Sequence, residues 1–197
     1  MLLLIDNFDS FSHMLADLLR QTGKELLVVR NDVSMEEIIK LEFEGLVLSP
    51  GSGIPQKAGN LNKIFAEYYN KVPVLGVCLG HQAIGEFFGA KLKKNVVPTH
   101  GKVHQVRKTL SNGYTAKLPQ VFNVTRYHSL QLANLPEELE VILETESGEV
   151  MGIAHQTLPI LGIQYHPEAH LTEYGLELVK SWVQQIKYQI EPEFSLG

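Results

Sequence analysis

The chain has 197 residues, 44% hydrophobic and 20% charged, with 17 basic and 22 acidic side chains and a net charge of −5. This composition excludes a disordered chain and leaves enough length for one real core. A single cysteine excludes an internal disulfide, and no apolar run is long enough to cross a bilayer; with no basic run longer than residues 91–94, nucleic-acid and membrane partners are not expected and a reducing, cytoplasmic setting is.

The elements follow in chain order. Residues 2–5 read as a first strand rather than a signal peptide, because no basic segment precedes them and no cleavage signal follows. Asp9 or Ser10 caps a helix in which Phe11, Met14, Leu15, Leu18 and Leu19 recur at helical spacing, and Gly23 ends it. Residues 25–30 are a second strand; Ser34 with Glu37 forms a capping box for a short helix. Residues 46–48 are a third strand, residues 60–70 a helix with Leu61, Ile64, Phe65 and Tyr68 on one face, and residues 74–77 a fourth strand. Near-continuous apolar strands alternating with helices predict an open, mostly parallel α/β sheet with helices on both faces.

The second half changes character. Residues 96–97, 103–106, 121–125, 139–143, 150–154 and 160–165 are short β-branched runs separated by turn signals at Ser111-Asn112-Gly113 and Ser147-Gly148. They predict an extension of the main sheet plus a small antiparallel one, with residues 91–94 a solvated edge. Residues 173–189 form a last helix with Leu176, Val179, Val183 and Ile186 inward. One domain is expected over residues 1–190, followed by a frayed tail at 191–197.

Cys78 is the candidate reactive group. It lies in Gly76-Val77-Cys78-Leu79-Gly80-His81-Gln82, between the fourth strand and a helix beginning near Ala83. Small residues two places on either side of a nucleophile at a strand-to-helix junction make a nucleophile elbow, whose helix N-terminus favours thiolate. A thiol needs a base and an orienting group. His166-Pro167-Glu168 offers both at the end of a strand, where residues two apart in extended chain share a side. Taken alone that tripeptide reads more readily as a surface loop with an incidental histidine and glutamate; beside a cysteine elbow it supplies the two missing members. Ser49-Pro50-Gly51-Ser52-Gly53 follows the third strand and exposes backbone N–H groups suited to an oxyanion, or is a plain tight turn. Arg126-Tyr127-His128-Ser129-Leu130 is a second polar cluster, open between a substrate site and a strand end with a satisfied histidine. His100 with His104, and His166 with His170, have zinc-like spacing, but Gly101 and Pro167 break the helix such sites need. No metal or cofactor is expected.

These segments together resemble the class I glutamine amidotransferase family: the cysteine segment, the late His-Pro-Glu and the Ser-Pro-Gly-X-Gly loop, in that family's pattern, from Leu3 to about Gly175. The opening Ile5-Asp6-Asn7-Phe8-Asp9-Ser10-Phe11, with Thr99-His100-Gly101-Lys102, residues 125–130 and Met151-Gly152, is similar to the chorismate-aminating branch, the amidotransferase components of anthranilate and aminodeoxychorismate synthases. The resemblance implies a flavodoxin-like fold and a catalytic set of Cys78, His166 and Glu168. It implies L-glutamine as substrate, held by Gln82, His128, Ser129 and Leu130, with Leu79 and residues Gly51, Ser52 and Gly53 supplying the oxyanion hole. It also implies a separate chorismate-using synthase chain that receives ammonia. Ser52, where the family usually has proline, Ala169 and His170 after His-Pro-Glu, and Ala154 depart from the pattern. Two other readings stay open at this point: hydrolysis of another γ-glutamyl amide or peptide by the same elbow, and a non-catalytic regulatory module.

Overall fold

The computed structural model describes residues 1–94 and 101–190, the side chains of 187–190 excepted. The strand expected at 96–97, His100 and the tail at 191–197 lie outside the described residues. The described elements are β1 (Leu2–Asn7), α1 (Phe11–Arg20), β2 (Leu26–Arg30), α2 (Met35–Ile38), β3 (Gly45–Gly51), α3 (Leu61–Tyr68), β4 (Val74–Val77), α4 (Leu79–Phe87), β5 (Lys91–Lys94), β6 (Lys102–Lys108), β7 (Val121–Arg126), β8 (Leu130–Ala133), β9 (Leu139–Thr145), β10 (Val150–His155), β11 (Ile160–Ile163) and α5 (Gly175–Ile190).

A nine-stranded sheet runs in the order β2-β1-β3-β4-β11-β10-β9-β6-β7. Pairings from β2 through β11 are parallel, and those from β11 to β7 antiparallel. Strand β11 is the seam, parallel to β4 on one side and antiparallel to β10 on the other. Strands β5 and β8 pair antiparallel in a separate two-stranded sheet.

Side-chain alternation along β1 shows how the layers form. Leu2 and Leu4 face a core shared with Leu15 and Leu19 of α1 and Trp182 of α5. Leu3 and Ile5 face the opposite core, with Ile64 and Phe65 of α3 and Ile84 of α4. All four β1 leucine and isoleucine side chains are fully buried, as a sheet covered on both faces requires.

Several expectations are corrected. Strand β3 continues through Ser49 and Pro50 to Gly51, so the glycine-rich loop begins inside the sheet. The run at 91–94 is the exposed strand β5, and residues 130–133 form its partner β8, a strand not expected from the sequence. Helix α4 starts at Leu79, directly after Cys78, not near Ala83. Met14 is exposed, and α1 buries Ser12 and Ala16 beside Leu15 and Leu19. Leu176 is only half-buried; Leu178 and Trp182 join Val179, Val183 and Ile186 on the inward face of α5. At the start of α1 it is the Asp9 carboxylate that accepts from a backbone N–H, that of Phe11, at 2.8 Å, while Ser10 makes no side-chain cap. The Ser34–Glu37 capping box and the left-handed Gly23 after α1 form as expected.

Candidate active site

Cys78 occupies the single-residue turn between β4 and α4, with φ 52° and ψ −99°. A positive φ in a residue with a Cβ is strained, and the surrounding packing must enforce it. The flanking glycines supply that packing. A Cβ on Gly80 would overlap the Leu48 carbonyl oxygen, and one on Gly76 would meet the Gly80 carbonyl at 2.6 Å. Helix α4 therefore lies against β3 and β4 only because both positions lack a Cβ. The Cys78 N–H continues the sheet, donating to the Ile163 carbonyl on β11 at 2.8 Å.

The same strand leads to His166. Strand β11 ends at Ile163, so His166 and Glu168 are in a turn rather than in extended chain, closed by the Ala169 N–H donating to the His166 carbonyl at 3.2 Å. The turn brings His166 Nδ1 to 2.6 Å from Glu168 Oε1, a pairing expected here but reached by a different backbone route. The turn is pinned from two sides. The His166 N–H donates to the Thr125 carbonyl of β7, and the Thr172 hydroxyl donates to the His166 carbonyl while accepting from the Thr125 N–H. Gly175 lets α5 begin against this turn, since a Cβ there would overlap the Pro167 carbonyl oxygen.

His166 is buried, and its Nε2 has no conventional hydrogen-bond partner, leaving that nitrogen for the thiol. Burial opposes its charge, but the Cys78 side chain and then Glu168 outweigh burial and raise its pKa to about 10. The set is built to hold an imidazolium between sulfur and carboxylate.

A cavity of about 200 Å³ opens over Cys78, lined by Gly51, Ser52, Gly53, Gln82, Tyr127, His128, Ser129 and Leu130. Seven of the eight residues expected to hold substrate are here. Leu79 is not: its side chain is buried against Gly51, and only its backbone N–H, at the start of α4 where no helical acceptor exists, is available. A larger cavity of about 750 Å³, lined by Lys93, Lys102, His104, Arg126 and Glu149 among others, does not reach Cys78.

The wall residues are fixed by buried polar contacts. Gln82 Nε2 donates to Gln164 Oε1 at 3.2 Å and to the Leu130 carbonyl at 3.4 Å. The base of the glycine-rich loop is tied to β1: the Asn7 N–H donates to Ser49 Oγ at 2.9 Å, Asn7 Nδ2 donates to the Ser49 carbonyl at 2.8 Å, and Asn31 Nδ2 donates to Asn7 Oδ1 at 2.9 Å. Burial, followed by the Arg126 charge, pushes the pKa of His128 down to about 4, and burial pushes that of His81 to about 3, so His128 stays neutral beside His166 and His81 stays neutral beside His128. Among the described residues no group of three His, Cys, Asp or Glu side chains is placed to hold a metal.

Sequence reasoning missed the aromatic covers of His166. The rings of Phe11 and Tyr127 lie 4.6 and 5.1 Å from His166 and 4.7 Å from each other. Phe11 read as one more member of an apolar helix stripe. Tyr127 stood in the polar cluster at 126–130, which was the available signal.

The model of the family described as "Glutamine amidotransferase class-I" matches residues 3–186. The chain belongs to the class I glutamine amidotransferases. It is 48% identical over 191 residues to anthranilate synthase component 2 of Azospirillum brasilense, covering 93% of this chain and 95% of that protein. It is 38% identical over 196 residues to aminodeoxychorismate/anthranilate synthase component 2 of Bacillus subtilis, covering 96% and 99%. Among solved structures, a putative GMP synthase protein of Thermoplasma acidophilum superposes with a TM-score of 0.83 at 28% identity, covering 96% of this chain and 97% of the other. The parallel sheet with its antiparallel extension is thus the scaffold of an amidotransferase. No described helix is long and apolar enough to cross a membrane.

Proposed function

We propose that this amidotransferase is the glutaminase subunit of a chorismate-aminating synthase, formed by a single domain over residues 1–190. The Cys78 thiolate attacks the side-chain amide carbon of L-glutamine. Backbone N–H groups of Leu79 and residues 51–53 stabilise the oxyanion. His166, oriented by Glu168, gives its proton to the departing ammonia, leaving a γ-glutamyl thioester. His166 then takes a proton from water, which attacks the thioester, and glutamate leaves with the thiol restored. Gln82, His128, Ser129 and Leu130 hold the glutamine. The reaction takes place in the reducing cytoplasm.

The observation that carries this reading is the buried His166–Glu168 contact, with His166 raised in pKa by Cys78, beside a cavity of about 200 Å³ over Cys78. That volume suits one amino acid better than a peptide chain. The names of the relatives support a chorismate-using partner, for tryptophan or for folate synthesis. The test is co-purification of the chain with its chorismate-using synthase. The complex is expected to release glutamate from free glutamine and to convert chorismate to an aminated product, identified as the ortho or the para isomer. A strong preference for γ-glutamyl peptides over free glutamine would sink the reading.

A further inference from the structure

Arg126 ends β7 and is 2% exposed. Its Nη2 pairs with Glu149 Oε2 at 2.5 Å, and its Nε–H donates to His128 Nε2 at 3.2 Å. A guanidinium has no acceptor, so His128 Nε2 must present a lone pair and the ring proton must sit on Nδ1. That Nδ1–H donates to the Leu130 carbonyl at 2.7 Å, the same oxygen that accepts from Gln82. One line of contacts therefore runs from Glu149, at the wall of the larger cavity, through Arg126 and His128 to Leu130 and Gln82 in the wall over Cys78.

We infer that Arg126 is a positioning residue for glutamine capture: anchored by Glu149, it locks His128 in the Nδ1–H tautomer and so fixes the Leu130 carbonyl and the Gln82 amide. The inference rests on the glutaminase reading above. A buried ion pair by itself is weak evidence of function, because desolvation offsets much of its attraction. Here the same guanidinium also points an N–H at a ring that lines the cavity, which a purely structural pair has no need to do.

The charge environment gives a second signature. His128 faces Arg126 from β7, His104 from β6, His81 from α4 and His166 from the turn after β11, and shares its cavity with Cys78. Burial, then Arg126, keeps its pKa near 4. Without Arg126 the Leu130 carbonyl still draws the Nδ1–H, but nothing donates to Nε2 from the guanidinium and no neighbouring cation opposes a second proton, so the ring becomes easier to protonate. A protonated ring still donates to Leu130, but adds a positive charge at the glutamine site.

The test measures glutamine hydrolysis by the chain in complex with its synthase. Arg126→Met is expected to raise KM for glutamine about 10-fold with kcat changed less than roughly 3-fold, as for loss of a charge-assisted hydrogen bond. Its acidic limb in kcat/KM should move up toward the ordinary histidine range, while Arg126→Lys keeps that limb where it is. A folded Arg126→Met complex with unchanged KM and unchanged acidic limb would overturn the inference. Should that variant not fold, Glu149→Gln is read instead, with KM expected to rise about 3-fold; an unchanged KM overturns the inference. Nitrogen-15 NMR of the imidazoles reads the tautomer without glutamine. Nδ1–H at His128 from pH 5 to 8 supports the inference and Nε2–H overturns it, even in a preparation whose lack of glutaminase activity has refuted the functional reading.

Discussion

His166 and Glu168 are paired at 2.6 Å inside one turn, with side chains only 3% and 0% exposed. Because the turn creates the contact, the imidazole and the carboxylate form a local unit that docks as a piece beside Cys78. Glu168→Gln keeps the shape of that unit and removes its charge. Turnover of glutamine should fall about 10²- to 10⁴-fold, the range for loss of oriented acid–base catalysis. Steady-state glutamate release checks it, and a loss under tenfold would show that the charge is not needed.

The same pair makes stability depend on pH in a defined direction. The pKa of His166 rises on folding from an ordinary 6.5 to about 10. Its contribution is therefore complete below about pH 6.5 and is lost as pH climbs toward 10. His81 and His128, lowered to about 3 and about 4, act oppositely: they favour the fold above pH 6.5 and cost stability as pH falls. Melting temperature should peak near pH 6.5. A His166→Gln variant should lose the alkaline decline and keep the acidic one. Identical alkaline slopes in both proteins would contradict the assignment.

Cys78 combines chemistry with backbone strain. Cys78→Ala should abolish glutamate release, since no other side chain at the site can form the thioester. Cys78→Gly should be as inactive yet melt higher than Cys78→Ala, because glycine accepts φ 52° without the cost of about 1 kcal/mol carried by a residue with a Cβ. Equal melting temperatures would mean the turn is unstrained.

Phe11 shields the imidazole without touching the cavity. Phe11→Leu keeps most of the apolar volume and removes the ring contacts to His166 and Tyr127. Turnover should drop roughly 2- to 10-fold, the equivalent of an aromatic pair, with KM for glutamine little changed. A rise in KM alone would place Phe11 in substrate capture instead.

The candidate catalytic elements were legible in the sequence because each follows a strand and sits in a distinctive short motif. The Gly76 and Gly80 spacing disclosed the elbow, and the overlaps that a Cβ would make there with the Gly80 and Leu48 carbonyls explain why. What was not legible depended on tertiary placement. Lys91–Lys94 carries charge that reads as solvent edge, and pairing with Leu130–Ala133 is what makes it a strand. Phe11 follows the period of a core-facing helix, and nothing local says that its ring covers a histidine far along the chain. The turn at His166 was misread as extended because Pro167 disfavours helix at the residue before it but does not distinguish a strand end from a turn.

The seam at β11 carries a mechanical consequence. Val77 and Ile163 are in register on adjacent parallel strands, and Cys78 hydrogen-bonds to Ile163 as the next rung. The thiol thus leaves one strand of the sheet and the imidazole a turn three residues past its neighbour, pinned to Thr125 of β7, so their separation rests on strand spacing, about 4.8 Å and stiff, together with that pin. The exposed Ser52, Gly53 and Ser129 belong to no such lattice. Perturbations of the cavity rim should act on how often glutamine is caught, and only damage to the sheet should act on how fast a caught molecule reacts.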